Sequence, residues 1–267
     1  MIAVFDHPWL GALFGDAEAQ ALWNAEAQLA HMLAFEAAWS RALAEAGLAG
    51  PEATEIACRI GQAAPDIAGL AAGTARDGLP VPALVDQLRR LAPDRDMVHR
   101  GATSQDVIDT ALALTLRATS DLLDARMADL DEALGDLDTR FGTRRMMART
   151  RMQAAMPIAV ARRIATWREP LAGHRARLAD MRPEVERVQI GGAAGDRAAL
   201  GDAAPAVARA VADALGLADP GSSWHATRAG VASYGGLLAG LSGSLGKMGQ
   251  DLCLMAQQGI DEVAFVS

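Results

Sequence analysis

The sequence contains few of the residues that mark disulfide-stabilised or metal-binding proteins. It has only two cysteines, Cys58 and Cys253, which lie far apart in helical patterns and which we expect to be buried, reduced thiols. It contains no CxxC, HExxH or Walker-type motif, so no pattern indicates a metal ion or a nucleotide. These absences predict a cytoplasmic protein that needs no metal and no cofactor.

Positive charge is also scarce. The chain has 25 Lys and Arg residues against 33 Asp and Glu residues, a net charge of −8, and Lys247 is its only lysine. A nucleic-acid partner is therefore not expected, because no overall basic field exists to neutralise phosphates. No secretory signal pattern is present at the N-terminus, and residues 229–246 are uncharged but interrupted by glycines, so we expect a bundle helix there and no membrane segment.

What the chain does have is alanine and leucine, with few β-branched residues, and this composition favours helices. The sequence predicts an all-α protein. The predicted helices cover residues 24–46, several short segments between 51 and 93, then 104–140, 157–188, 201–215, and 226 to beyond 260. We place a domain boundary near Pro93, which gives an N-terminal helical domain (1–95) and a long-helix bundle domain (96–267).

Residues 99–106 combine a histidine, a glycine, two hydroxyl residues and an aspartate just before a long helical pattern. Thr103 and Ser104 are good N-cap residues, and Asp106 lies three positions after Thr103, as in a capping box with Asp in place of Glu. The first turn of a helix offers unpaired N–H groups and the positive end of the macrodipole. The segment therefore suits an anion, although the same residues are also typical of a simple helix cap.

This segment resembles the H-x-G-x-T-S-x-D motif of the fumarase/aspartase superfamily, which His99, Gly101, Thr103, Ser104 and Asp106 match in order and spacing. Three further stretches, FGDAEAQALW, QIGGAAGDRAALGD and WHATRAG, resemble the 3-carboxy-cis,cis-muconate cycloisomerase branch of that superfamily. The resemblance covers essentially the whole chain. It implies a fumarase/aspartase-like long-helix bundle with a small N-terminal helical domain.

A cationic cluster follows the long helical pattern. Its members are Arg140, Arg144, Arg145, Arg149 and Arg151. Such a cluster suits a multiply charged carboxylate, because arginine grips carboxylates in bidentate fashion, although Arg140 to Arg145 is also typical of a solvated helix end. Within it, Arg149, Thr150, Arg151 and Gln153 resemble the superfamily's R-T-H-x-Q motif, with Arg151 in place of the usual histidine.

The resemblance implies a role for each candidate site residue. Thr103, Ser104, Arg149, Arg151 and Gln153 would bind the substrate, and Ser104 would also help to stabilise charge that develops on a substrate carboxylate.

His99 and His225 are the candidate proton-transfer groups, although His99 is also compatible with a loop-orienting role and His225 with a helix cap. Arg228 is a further substrate-binding candidate, in a stretch where Ala229 replaces the usual acidic residue. The glycine-rich turn QIGGAAGD is predicted to be a close-packed turn and not a phosphate loop, because no strand precedes it.

The implied reaction is the anti addition of a carboxylate across a carbon–carbon double bond, which gives a γ-lactone from a small polycarboxylate. The resemblance also implies a homotetramer. The superfamily's S-S-x-M-P-x-K-x-N loop, which carries the serine regarded as the base, is expected after a segment like residues 263–267. We therefore expect the bundle domain to be incomplete at its C-terminal end and the small C-terminal domain to be absent.

Two other hypotheses remain open from the sequence. One is a fumarate-releasing lyase of the adenylosuccinate or argininosuccinate type, in which the motif histidine handles substrate, so Arg151 argues against it. The other is a catalytically inactive helical scaffold that keeps the oligomer interfaces.

Overall fold

The computed structural model describes residues 3–93 and 95–264. Over these residues the chain forms ten α-helices, one β-hairpin and four short 3-10 helices. The helices are α1 (Gly11–Phe14), α2 (Ala17–Trp23), α3 (Ala25–Glu45), α4 (Glu52–Gly61), α5 (Ile67–Asp77), α6 (Val81–Leu88), α7 (Ser104–Phe141), α8 (Val160–Val185), α9 (Ala204–Leu215) and α10 (Ala229–Met255). The all-α prediction is confirmed.

The hairpin, β1 (Arg145–Thr150) and β2 (Gln153–Ala159), is the part of the fold that helical periodicity did not predict. Its turn consists of Arg151 and Met152, which both have positive φ, 47° and 61°. Two positive φ values at the centre of a two-residue loop are what a type I′ turn requires, and this turn matches the twist of the two strands. Because Pro157 lies in β2, α8 begins at Val160 and not at the proline.

The chain divides into two compact units. The first contains Met1–Thr119 and Pro183–Arg228, and the second contains Ser120–Arg182 and Ala229–Ser267. Helix α7 begins in the first unit and continues into the second. The domain boundary proposed at residue 95 stays a prediction.

The first unit is built around α3, which packs against α4 and α9. Asn24 caps this helix by accepting a hydrogen bond from the Ala27 N–H at 2.7 Å, and Gly47 follows its end with φ 68°. Phe35, Trp39 and Leu43 of α3 are buried almost completely. Each contributes about 1.5–3 kcal/mol through burial of apolar surface, so α3 is the main support of the unit.

The second unit is held by an apolar cluster and by ion pairs. The cluster consists of Leu134, Met146, Ile164, Trp167 and Met255. Three arginines of α8 spaced seven residues apart pair with aspartates of α7. The pairs are Arg168 with Asp131 at 2.8 Å, Arg175 with Asp124 at 2.9 Å, and Arg182 with Asp121 at 2.5 Å. This spacing keeps the pairs on one side of α8, because seven residues make about two helical turns.

Two further local expectations were wrong. Helix α10 begins at Ala229 and ends at Met255, well before residue 260, and positive φ values at Gly259 (84°) and Asp261 (49°) are incompatible with a continuing helix. Cys58 and Cys253 are free but exposed and not buried. No helix in the described ranges is both long and apolar enough to cross a membrane.

Candidate active site

Only one half of the predicted capping box is present at the start of α7: the Asp106 side chain reaches back to Thr103, whereas the Thr103 hydroxyl accepts no hydrogen bond from a described residue. The Asp106 carboxylate accepts a hydrogen bond from the Thr103 N–H at 3.0 Å, and the Asp106 N–H donates to the Thr103 carbonyl at 3.0 Å. Thr103 and Ser104 are half-buried, and the structure gives neither hydroxyl a hydrogen bond within the described residues. The two hydroxyls are therefore available as donors beside the positive end of a 38-residue helix.

Asp106 does more than cap the helix. Its side chain is fully buried, and its two oxygens accept four N–H groups: Thr103 and Gly192 on Oδ2, both at 3.0 Å, and Gly191 at 2.8 Å and Gln189 Nε2 at 3.1 Å on Oδ1. Burial raises the pKa of Asp106, and the four N–H donors oppose that rise. One carboxylate thus fastens the start of α7 to the glycine-rich turn.

The glycine-rich turn is close-packed, as predicted. A Cβ at Gly191 would lie 2.6 Å from Ser223 Oγ, and a Cβ at Gly195 would lie 3.0 Å from His225 Cε1. Gly195 also has φ 84°, a conformation that glycine adopts without strain. The glycines therefore allow the turn to approach the His225 segment closely.

Gln189 carries the polar network from Asp106 to His225. Its Nε2 donates to Ser223 Oγ at 2.8 Å, its Oε1 accepts from the Trp224 N–H at 2.7 Å, and Ser223 Oγ lies 2.6 Å from His225 Nδ1. The Gln189 side chain is completely buried. Buried polar groups of this kind must be hydrogen-bonded, and here each partner is supplied by the neighbouring segment.

His99 lies on the loop before α7 with φ 63°, and its Nδ1 is 2.6 Å from Oε1 of Glu36. Glu36 is fully buried on α3, and its Oε2 has no hydrogen-bond partner within the described residues. Trp39, one turn later on α3, donates from Nε1 to the Arg100 carbonyl at 3.0 Å. The core helix therefore orients both the histidine and its loop.

Arg228 is exposed, and its Nη1 donates to Oδ2 of the buried Asp109 at 2.7 Å. Its guanidinium lies 5.2 Å from the centre of the Trp224 ring, and that of Arg187 lies 5.4 Å from the same ring. Trp224 also donates from Nε1 to the Val188 carbonyl at 2.9 Å. The cation of Arg228 is thus partly neutralised within the fold, and its substrate role stays a prediction.

The other candidate residues belong to the second unit. Arg149 on β1 pairs with both carboxylate oxygens of Glu262, at 3.0 and 2.9 Å. Arg151 and Gln153 are exposed, the first in the hairpin turn and the second at the start of β2. Arg149 therefore already has a carboxylate partner, whereas the guanidinium of Arg151 lies exposed in the hairpin turn.

The first unit thus contains five of the predicted site residues, and the second contains three. The sets are His99, Thr103, Ser104, His225 and Arg228 in the first unit, and Arg149, Arg151 and Gln153 in the second. Their roles in binding and catalysis remain predictions.

Sequence reasoning missed Glu36, Gln189, Ser223 and Asp109 as partners of the site residues. Gln189 and Ser223 had local signals, because Gln189 is the first residue of the QIGGAAGD turn and Ser223 directly precedes the WHATRAG stretch. Glu36 had none, since it lies within an ordinary helical pattern. No group of three or more His, Cys, Asp or Glu side chains that could hold a metal ion occurs in residues 3–93 and 95–264.

Comparison with known proteins identifies the family. A family model described as "Lyase" matches residues 16–266. The chain belongs to this lyase family.

Two curated relatives are more than a third identical to the chain over the aligned residues. It is 37% identical over 260 residues to a 3-carboxy-cis,cis-muconate cycloisomerase of Pseudomonas aeruginosa, a match that covers 94% of this chain and 56% of the relative. It is 39% identical over 264 residues to the Bradyrhizobium diazoefficiens protein of the same name, covering 96% and 58%. The chain therefore spans less than two thirds of the length of these relatives.

Two solved structures are similar to this chain over most of its length. The 3-carboxy-cis,cis-muconate lactonizing enzyme from Pseudomonas putida matches with a TM-score of 0.89 and 33% identity, over 95% of this chain and 59% of that one. A fumarate lyase from Mesorhizobium sp. BNC1 matches with the same TM-score and identity, over 93% and 59%. The long-helix fold expected from the resemblance is confirmed.

Proposed function

We propose that this chain carries the substrate-binding and proton-handling segments of a 3-carboxy-cis,cis-muconate cycloisomerase. The single observation that carries the proposal is the Asp106 junction, which holds the start of α7 against the turn that contacts His225. At this helix start, the Thr103 and Ser104 hydroxyls make no hydrogen bond with a described residue. The names of two relatives that are 37 and 39% identical to the chain over the aligned residues support the same activity.

In the proposed reaction, one carboxylate of the substrate adds to a carbon–carbon double bond and closes a γ-lactone, and a proton is delivered to the adjacent carbon. In the reverse direction, removal of that proton places negative charge on the neighbouring carboxylate. Thr103 and Ser104 donate hydrogen bonds to this carboxylate, and the α7 dipole adds a positive field. Preorganised donors of this kind are effective because they need not reorient as the charge develops.

Arg149, Arg151 and Gln153 are proposed to bind substrate carboxylates; Arg151 and Gln153 are exposed, whereas Arg149 is paired with Glu262. Arg228 is proposed to contact the substrate from the side of Trp224. His99 and His225 are the candidates for the proton transfer. No cofactor is needed for this reaction.

The test is the loss of ultraviolet absorbance of 3-carboxy-cis,cis-muconate, whose conjugated diene disappears on lactonisation. Ser104→Ala should lower kcat/KM by about 10- to 100-fold, because a donor to a developing carboxylate charge is lost. Ser222→Ala is the matched control, since Ser222 is exposed and makes no hydrogen bond with a described residue. Absence of turnover by the unsubstituted chain, or equal rates for the two variants, would contradict the proposal.

The alternative enzymatic hypothesis, a fumarate-releasing lyase, is tested by measuring the release of fumarate from an amino-succinate by ultraviolet absorbance. Its support is the Mesorhizobium fumarate lyase among the similar structures. Arg151 still argues against it, because it replaces the histidine of the second motif. Turnover of the amino-succinate without turnover of the muconate would select this alternative.

We also propose that the protein is a homotetramer and that it is cytoplasmic. The two free cysteines among the described residues are in keeping with the cytoplasmic location. The support for association is the open side of α10, where a Cβ at each of five glycines would meet no atom of a described residue within 4 Å. These are Gly235, Gly236, Gly243, Gly246 and Gly249. Such a surface allows another helix to approach closely. Light scattering should give the mass of four chains of 27.9 kDa each, and a monomer at micromolar concentration would refute it.

A further inference from the structure

His225 is held through one ring nitrogen, and the groups that hold it determine where its proton lies. Two groups face Nδ1: Ser223 Oγ at 2.6 Å and Gln189 Nε2 at 3.5 Å. No described residue hydrogen bonds to Nε2. In a neutral imidazole, one nitrogen carries the proton and the other accepts, so the partners of Nδ1 decide the tautomer.

The orientation of the Gln189 amide is fixed by groups that can act in only one way. The Trp224 N–H can only donate, so the Gln189 atom that it contacts at 2.7 Å is the oxygen. The ionised Asp106 carboxylate can only accept, so the atom that faces it at 3.1 Å is the nitrogen. Exchanging the amide oxygen and nitrogen would oppose like groups at both contacts.

The direction of the next hydrogen bonds follows from that orientation. One hydrogen of Gln189 Nε2 points to Asp106, and the other points to Ser223 Oγ at 2.8 Å. Ser223 Oγ therefore accepts from Gln189, and its own hydrogen is free to point to His225 Nδ1. If Nδ1 carried the proton instead, the Ser223 hydrogen would have no acceptor among the described residues, and two N–H groups would face each other at 3.5 Å.

We propose that the buried chain of Asp106, Gln189 and Ser223 holds neutral His225 in the tautomer with its proton on Nε2, so that His225 donates a hydrogen bond to a substrate carboxylate and is not the base. Gln189 and Ser223 are positioning residues in this arrangement. The substrate part of this inference rests on the proposed function, whereas the tautomer does not.

His99 provides the contrast within the same unit. Its Nδ1 faces Glu36, whose carboxylate only accepts when ionised, so His99 carries its proton on Nδ1 and leaves Nε2 with a lone pair. The two histidines therefore hold opposite tautomers. Of the two, His99 is the one whose free nitrogen can take up a proton.

The tautomer is measured by long-range ¹H–¹⁵N correlation on the full chain labelled with ¹⁵N-histidine, at a pH where the imidazoles are neutral. His225→Gln assigns the signals. We expect a protonated, pyrrole-type Nε2 and an unprotonated, pyridine-type Nδ1 for His225, and the reverse for His99. An Nδ1-protonated His225 would overturn the proposal whether or not the protein is active.

Variants test the positioning residues. Ser223→Ala should shift the His225 nitrogen signals toward a mixture of tautomers, Ser223→Thr should restore the original signals, and the control Ser222→Ala should change nothing. Unchanged His225 signals in a folded Ser223→Ala protein would refute the role of Ser223. Should Ser223→Ala fail to fold, the unsubstituted protein and Ser223→Thr still report the tautomer.

Kinetics test the donor role once turnover of 3-carboxy-cis,cis-muconate is established. His225→Ala should raise KM by about 10- to 100-fold, the cost of a lost hydrogen bond to a charged group, with a smaller effect on kcat. His225→Gln, whose amide can still donate, should recover most of that loss. A variant that abolishes kcat at unchanged KM would refute the donor role. Lack of turnover by the unsubstituted chain would count against the proposed function and leave the tautomer to be decided by the nitrogen signals.

Discussion

Replacing Asp106 by asparagine is the sharpest test of how the first unit holds its site. The carboxylate accepts four N–H groups, two on each oxygen. Asparagine offers one oxygen in their place, and its NH₂ group points its hydrogens at donors. Two of the four hydrogen bonds are therefore lost, and two N–H groups are left buried without an acceptor.

The size of the effect follows from the charge on the acceptor. A hydrogen bond to a charged group contributes about 1.5–3 kcal/mol, so losing two costs about 3–6 kcal/mol. That is a large share of the roughly 5–15 kcal/mol that stabilises a typical protein. Because the loss falls on the Thr103 and Gly191–Gly192 segments, local opening should increase there before the whole unit unfolds.

Hydrogen exchange measured by mass spectrometry on peptides that contain residues 189–192 is the appropriate assay. Protection in Asp106→Asn should fall by about 100-fold or more, which corresponds to at least about 2.7 kcal/mol. Asp121→Asn is the control, because Asp121 lies on the same helix but is mainly exposed and pairs with Arg182. A loss of protection below about tenfold in Asp106→Asn would refute the reasoning that the carboxylate fastens this junction.

Three further outcomes are expected. Met152→Gly should raise the Tm by about 1–3 °C in calorimetry, because it relieves a positive φ of 61°, and a lower Tm would contradict this. Burial lowers the pKa of His174 from 6.5, so on acidification the unfolded chain binds a proton at this residue before the folded chain does. The free energy of unfolding should therefore decrease as the pH is lowered below 6.5. The decrease should be smaller in His174→Gln. The hydrogen bond from Arg168 holds the pKa of Asp131 below its usual value, so this pair stabilises above about pH 4 and is lost in acid. Asp131→Asn should cost only about 0.2–1 kcal/mol in urea titrations, and a loss that high salt does not reduce would exclude the ion-pair explanation.

The parts of the fold that depend on local patterns were predictable from the sequence. The start of α7 at Ser104, the Asn24 cap and the Gly47 stop each rest on residues within one turn of the helix end. The hairpin was not predicted, because RMMARTRMQAAMP has neither strict alternation nor a glycine in its turn. Its turn uses two residues, Arg151 and Met152, that rarely adopt positive φ.

The candidate site was predictable only where a motif is continuous in sequence. Thr103, Ser104 and Asp106 form such a segment, so the capped helix start was found. The partners that orient the histidines come from far along the chain, with Glu36 63 residues from His99. No periodicity links such residues, because their contact depends on how the helices pack.

Trp224 gives the first unit an internal optical probe. The guanidinium groups of Arg187 and Arg228 both lie within 5.4 Å of the centre of its indole ring, and its two N–H groups donate to Val188 and Gln189. The emission of an indole responds to charge close to the ring. An anion that draws Arg228 away from Trp224 therefore changes the wavelength and intensity of the Trp224 fluorescence. With the other four tryptophans replaced by phenylalanine, the binding of an anion beside Arg228 could be followed by Trp224 fluorescence, without turnover and without an added dye.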